Sequence, residues 1–174
     1  YQNGRYGDAE TLAISITEQF PEHQFAWKVL GSVFKETDKI SESLVASQKA
    51  LQLAPEDAEA HSNLGNTLQM LGRLERAEAS FRKAVTLKPD NPEAYNNLGV
   101  TLQKLSRLEE AEASFRQAIA LKSDFSEAHS NLGKILQILS RLEEAEASHT
   151  RTIAIAPDFA EAHFNLGNTL KALG

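Results

Sequence analysis

The stretch PEAYNNLGVTLQKLSRLEEAEASFRQAIALKSDF, residues 92–125, decides the fold. Tyr95, Leu98, Leu102 and Leu105 fall at i, i+3, i+7 and i+10, one face of a first helix. Leu108, Ala111, Phe115, Ala118 and Ile119 form the same kind of face on a second helix. Working outward, the string Glu-Ala-His/Tyr-x-Asn-Leu-Gly begins at Glu59, Glu93, Glu127 and Glu161, a step of 34 residues. Arg-Leu-Glu-x-Ala-Glu-Ala-Ser keeps that step, beginning at Arg73, Arg107 and Arg141. A more divergent copy starts near Gln24, with Trp27, Leu30 and Gly31 in the matching places. A pair of short amphipathic helices cannot bury its apolar face alone, but stacked copies can, so the chain reads as an all-α solenoid.

The punctuation agrees. Gly72 lies between the two helices of its copy, where a positive φ closes the first. Ser106 and Ser140 replace it in later copies. Followed by Glu109 and Glu143, they predict capping boxes for the second helices. Before Glu93, Asn91 is expected as N-cap and Pro92 as the first helical residue.

Composition bounds the function. The hydrophobic fraction of 41% in 174 residues is too high for disorder, and no apolar run approaches the roughly 20 residues of a membrane helix. No secretory or lipidation signal is legible, and the cytoplasm is the default compartment. Cysteine is absent, which excludes disulfides, thiolate metal sites and cysteine nucleophiles in this chain. With 18 Lys+Arg against 24 Asp+Glu, the net charge of −6 argues against nucleic acid and anionic membranes.

The period and the residues in it resemble the tetratricopeptide-repeat (TPR) family. Residues 58–91 carry the family pattern as His61, Leu64-Gly65, Leu68, Ala77, Phe81, Ala84 and Pro89. Residues 92–125 carry it as Tyr95, Leu98-Gly99, Leu102, Ala111, Phe115 and Ala118, with Ser123 in place of the proline. The resemblance implies a right-handed superhelix of antiparallel helix pairs, first helices lining the concave face and second helices the convex back. It divides the chain into full repeats at 24–57, 58–91, 92–125 and 126–159, flanked by a second helix alone at 1–23 and a first helix alone at 160–174. The chain is thus expected to be one array, 1–174, cut from a longer, bacterial TPR-rich protein. Departures from the pattern are Ser43 and Ser47 in the first full repeat, and His149 and Thr152 in the last.

Catalytic motifs are absent: no phosphate-binding glycine loop, nucleophile elbow, His-Glu-x-x-His or acidic calcium loop. The expectation is no enzyme, no cofactor and no metal. His61, His129 and His163 recur where Trp27 and Tyr95 also stand, so they read as fillers of an aromatic slot. Neighbouring copies lie about 10 Å apart, too far for shared ligation. Only His149 beside His129 or His163 remains as a pair to check. Glu59, Glu93, Glu127 and Glu161 read as first-turn partners of their helix dipoles.

The candidate site is a column of asparagines. Asn63, Asn97, Asn131 and Asn165 each precede Leu-Gly, opposite the buried leucines and toward the expected groove; Val29 holds the place in the first full repeat. Asparagine is a poor helix former, so its recurrence asks for a reason. A carboxamide offers a donor and an acceptor together and so matches a peptide main chain. The step of about 10 Å is close to three residues of extended chain at roughly 3.3 Å each. The column resembles the asparagine ladder in the TPR superhelix of the O-linked N-acetylglucosamine transferase family, which implies a hold on the backbone of protein substrates. Helical spacing adds Asn66, Gln69, Gln103, Lys134, Gln137, Phe164 and Asn168 to the inner face, with Ser62, Asn96 and Ser130 beside them. The basic clamp of TPR domains that bind chaperone tails is missing, since those places read Glu93 and Asn97, or Glu127 and Asn131.

The sequence therefore points first to an interaction scaffold that binds an extended protein or peptide segment. A substrate-recruiting arm of a larger transferase or oxygenase is the first alternative. The other is an array that self-associates head to tail through its terminal half repeats.

Overall fold

The computed structural model describes residues 3–174, with side chains from Tyr6 onward; residues 1 and 2 of the segment 1–23 lie outside the described residues. The described residues form ten α-helices and divide into two compact units, one running to Pro89 and one from Asp90 to Gly174. The first unit holds α1 (Asn3–Gln19), α2 (Gln24–Glu36), α3 (Ile40–Leu53), α4 (Ala58–Met70) and α5 (Leu74–Leu87). The second holds α6 (Pro92–Lys104), α7 (Leu108–Leu121), α8 (Ser126–Ile138), α9 (Leu142–Ile155) and α10 (Ala160–Leu173). The even-numbered helices are the first helices of the repeat and pair antiparallel with the next odd-numbered helix: α2 with α3, α4 with α5, α6 with α7, α8 with α9. In the first unit α1 packs on α2, α3 on α4, and α2 touches α4. In the second, α7 packs on α8, α9 on α10, and α6 and α10 each touch α8.

One residue per pair makes the turn. Asp38, Gly72, Ser106 and Ser140 all have φ near +60° to +70°, at the same 34-residue step. The next residue's N–H then returns to the first helix: Arg73 to the Leu68 carbonyl at 2.9 Å, Arg107 to Leu102 at 2.9 Å, Arg141 to Leu136 at 2.8 Å. The expected capping boxes do not form. The N-caps of α7 and α9 are Arg107 and Arg141, with no side-chain cap bond, because Ser106 and Ser140 are consumed in the left-handed turn one residue earlier. Asn91 and Pro92 behave as expected: the Asn91 side chain accepts from Ala94 N–H at 3.1 Å and Pro92 opens α6.

Within each pair a residue of the second helix seats against the glycine of the first. Cβ atoms at Gly65 or Gly99 would lie 2.8 Å from the Phe81 ring or 2.6 Å from the Phe115 ring, so only glycine admits these rings. Leu68, Leu102, Leu136, Phe81 and Phe115 are buried to within 1% of completely. Burial of a Leu or Phe side chain is worth about 1.5–3 kcal/mol, so this column carries much of the packing energy.

The departures from the repeat pattern lie in the same interiors. Ser43 donates to the Gly31 carbonyl at 2.7 Å and stands 2.9 Å from the Thr67 hydroxyl, a buried polar link between α3, α2 and α4. Ser47 fills the ring position against Gly31, and its hydroxyl has no partner. His149 does so against Gly133, fully buried, with neither ring nitrogen hydrogen-bonded. Burial therefore holds its pKa below the usual imidazole range, the nearby Lys134 charge adding to the effect.

Candidate functional site

The asparagine column lies on the first helices, α4, α6, α8 and α10, and every member is half-buried. The residue four places on is a buried threonine in three copies, and the Thr67 and Thr169 hydroxyls donate to the carbonyls of Asn63 at 3.0 Å and Asn165 at 2.8 Å. Two of the amides reach the preceding first helix. Asn63 donates through Nδ2 to Ser32 on α2 at 3.3 Å, and Asn131 donates to Asn96 Oδ1 on α6 at 3.1 Å. Among the described residues, the Oδ1 atoms of Asn63 and Asn131 take no hydrogen bond. Asn165 Nδ2 is buried without a partner. Asn63 and Asn131 thus do internal work that sequence spacing alone did not reveal, each clipping a neighbouring first helix by one of its two polar ends.

The other residues expected on the inner face, taken with Asn97 of the column, separate into three groups. Asn66, Gln69 and Asn97 have interactions within the chain, and Gln103 is half-buried on α6. Lys134 and Gln137 of α8 are spent on α10: Lys134 pairs with Glu161 at 3.2 Å, and Gln137 Nε2 donates to the Asn165 carbonyl at 3.1 Å and meets the Thr169 hydroxyl at 2.6 Å. Asn168 and Phe164 are exposed, Phe164 by 69%. The column of Phe164 is not a groove column in earlier copies. Asn96 and Ser130 are buried, and Lys28 is held between α2 and α4. Their place on the helix faces the next first helix, which corrects the expectation that they line an open surface.

Three glutamates of the Glu59, Glu93, Glu127 and Glu161 column have basic partners. Glu59 pairs with Lys28, Glu161 with Lys134, and Glu93 with Lys122 at 3.8 Å. Burial opposes the charge on Lys28, but bonds to Glu59 and Asp57 outweigh it and hold its ammonium above the usual range. Burial likewise opposes the Asp57 carboxylate, yet the N-cap bond from Ala60 and those from Lys28 and Gln24 keep its pKa below the usual range.

The histidine column has a polar function missed in the sequence. His61, His129 and His163 bond through Nε2 to the carbonyls of Pro55 at 2.9 Å, Ser123 at 3.1 Å and Pro157 at 2.7 Å. Trp27 donates to the Pro21 carbonyl at 2.7 Å in the same way. The signal was there in outline: indole and imidazole share a ring N–H, and each acceptor lies six residues upstream. Among the described residues no cluster of three His, Asp or Glu could hold a metal ion, and no helix is long and apolar enough to cross a membrane.

Three family models match this chain: "Tetratricopeptide repeat" over residues 56–124 and again over 96–158, and "TPR repeat" over 31–72. No curated protein matches it. Among solved structures, the type IV pilus biogenesis factor PilW is similar with a TM-score of 0.90 at 23% identity, over 100% of this chain and 81% of that one. YrrB, described as a TPR protein with an unusual peptide-binding site, is similar with a TM-score of 0.77 at 23% identity, over 92% of this chain and 82% of that one. The first TPR of Spaghetti (RPAP3), bound to an HSP90 peptide, is similar with a TM-score of 0.66 at 27% identity, over 67% of this chain and 92% of that one.

Proposed function

We propose, from the premise that this chain is a tetratricopeptide-repeat protein, that it is a non-catalytic scaffold whose first-helix face holds an extended segment of a partner protein. The observation that carries this is the divided use of the asparagines. Asn63 and Asn131 spend Nδ2 on a neighbouring first helix and keep Oδ1 as an acceptor for a peptide N–H. An amide fixed by one internal bond loses little further freedom on binding, which favours weak, sequence-tolerant recognition. The asparagine ladder of the O-linked N-acetylglucosamine transferase family, and the peptide-binding YrrB and RPAP3 repeats, support the same reading by analogy. Lys28 and Lys134 already carry carboxylate partners, so this face is not built for an acidic tail.

The test is retention of peptides from an unbiased library, comparing wild type with the variant in which Asn63, Asn97, Asn131 and Asn165 are all alanine. Wild type retains extended peptides and the folded variant does not. Equal retention by both rejects the asparagine face as the binding surface.

A further inference from the structure

Between the second helices α7 and α9, with α8 as its floor, lies a cavity of about 380 Å³. Ile119 of α7, Leu132 of α8 and Ala147 of α9 give it apolar walls. Arg116 and Arg151 stand on opposite sides, one from each second helix. Their circumstances differ. Arg116 is engaged, with Nε donating to Glu112 at 2.8 Å and Nη2 to Glu144 at 2.9 Å. Arg151 makes no ion pair among the described residues. His129, also lining the cavity, is half-buried; desolvation, against its bond to Ser123 and together with the Arg151 charge, holds its pKa below the usual range. At neutral pH it adds a largely uncharged ring to the apolar floor.

The corresponding positions of the first unit, 68 residues earlier, are Gln48, Leu51, Leu64, Ala79 and Lys83. There the apolar residues are similar, but the place of Arg116 is neutral and Lys83 is paired with Glu56 at 3.2 Å. An unpaired guanidinium beside an apolar cavity is therefore a feature of the α7–α9 groove that the earlier copy lacks.

We propose that this groove is a docking site for a peptide segment in which acidic residues flank a leucine-sized side chain, the apolar chain filling the cavity and a carboxylate pairing with Arg151. Burial of the apolar chain supplies affinity, and the arginine decides charge. A basic or neutral segment would cover Arg151 without pairing it, at a desolvation cost. The net charge of −6 does not forbid an acidic ligand, because at physiological salt charges beyond roughly 8–10 Å are largely screened while Arg151 acts at contact. This surface lies between second helices over the Leu132 and His129 floor of α8, and none of the four asparagines lines it.

The test uses the full chain and a fluorescein-labelled, end-blocked peptide, Asp-Glu-Leu-Glu-Asp, with two controls: serine for leucine, and lysine for every acid. Fluorescence anisotropy reads the affinity, and circular dichroism checks that each variant is folded. The acidic leucine peptide binds, the controls bind more weakly, and Arg151→Glu weakens binding about five- to tenfold. Ala147→Trp, which plugs the exposed side of the cavity, weakens it similarly, while the quadruple asparagine variant leaves it unchanged. The proposal is overturned by any of three results: no binding up to about 1 mM peptide, equal affinity of Arg151→Glu and wild type, or equal binding of the serine control.

Discussion

The α4–α5 pair of the first unit and the α8–α9 pair of the second use the same glycine slot and fill it differently. Gly65 receives the Phe81 ring and Gly133 receives the His149 ring, and both rings are 0% exposed. Phenylalanine asks nothing of such a site beyond contact. Histidine brings two nitrogens that find no partner there, and each buried polar atom left unbonded costs about 1–3 kcal/mol. Ala84 and Thr152, at matching places, repeat the contrast more mildly. Both are fully buried, but the Thr152 hydroxyl is satisfied by the Ser148 carbonyl at 3.0 Å. The turns differ as well: Gly72 takes φ +70° without a side chain, whereas Ser140 takes φ +59° with one. The helix pair is thus kept over the repeat while the chemistry inside it drifts, from Phe81 to His149 and from Ala84 to Thr152.

The largest effect should come from emptying the aromatic slot. Phe81→Ala and Phe115→Ala each lower stability by about 3–5 kcal/mol in urea unfolding, since a fully buried ring leaves a cavity between packed helices. A loss below about 1 kcal/mol would show that the helices collapse onto the glycine, and that ring packing is not what distinguishes the pairs.

Converting one pair into the other comes next. His149→Phe should stabilise the second unit by about 1–3 kcal/mol at pH 7, because it removes unbonded polar atoms from a site that holds phenylalanine in two other copies. Destabilisation would mean that the Gly133 slot is narrower than the Gly65 slot.

The same exchange sets a pH dependence. The folded-state pKa of His149 is depressed by burial. Below the unfolded-state value of about 6.5 the unfolded chain binds more protons, so stability falls as pH drops from there until the folded pKa is passed. His129 shifts in the same direction, so part of the slope persists. Thermal melts between neutral and mildly acidic pH should therefore show a shallower decline for His149→Phe than for wild type; parallel declines would exonerate the buried imidazole.

Asn131→Ala removes the bond to Asn96 and should cost about 0.5–1.5 kcal/mol. If it costs nothing, the internal bond is incidental and the column is free to serve a ligand alone. Ser106→Gly and Ser140→Gly, read by melting temperature, should each gain about 0.5–1 kcal/mol by relieving a left-handed backbone, with Gly72 as the precedent.

Much of this molecule is legible in its sequence. A hydrophobic face repeated every 34 residues dictates helix pairs, because period and burial are linked by the 3.6-residue turn. Asn91 and Pro92 announced the start of α6, since capping needs only local chain geometry. Where the sequence misled, the missing information was non-local or lay in the backbone itself. Ser106 and Glu109 have capping-box spacing, but the φ of +60° at Ser106 places it in the preceding turn. Asn96 and Ser130 look like groove residues on a single helix and are buried once a second first helix packs beside them. The asparagine column itself stood out in the sequence as a recurring poor helix former; that Asn63 and Asn131 spend one amide end on a neighbouring helix was decided only by tertiary packing. Periodicity along one chain can specify which face of a helix is apolar. Which polar groups on that face meet depends on side chains some 31 to 35 residues apart, as with Asn63 and Ser32 or Asn131 and Asn96, and only the packed structure brings those together.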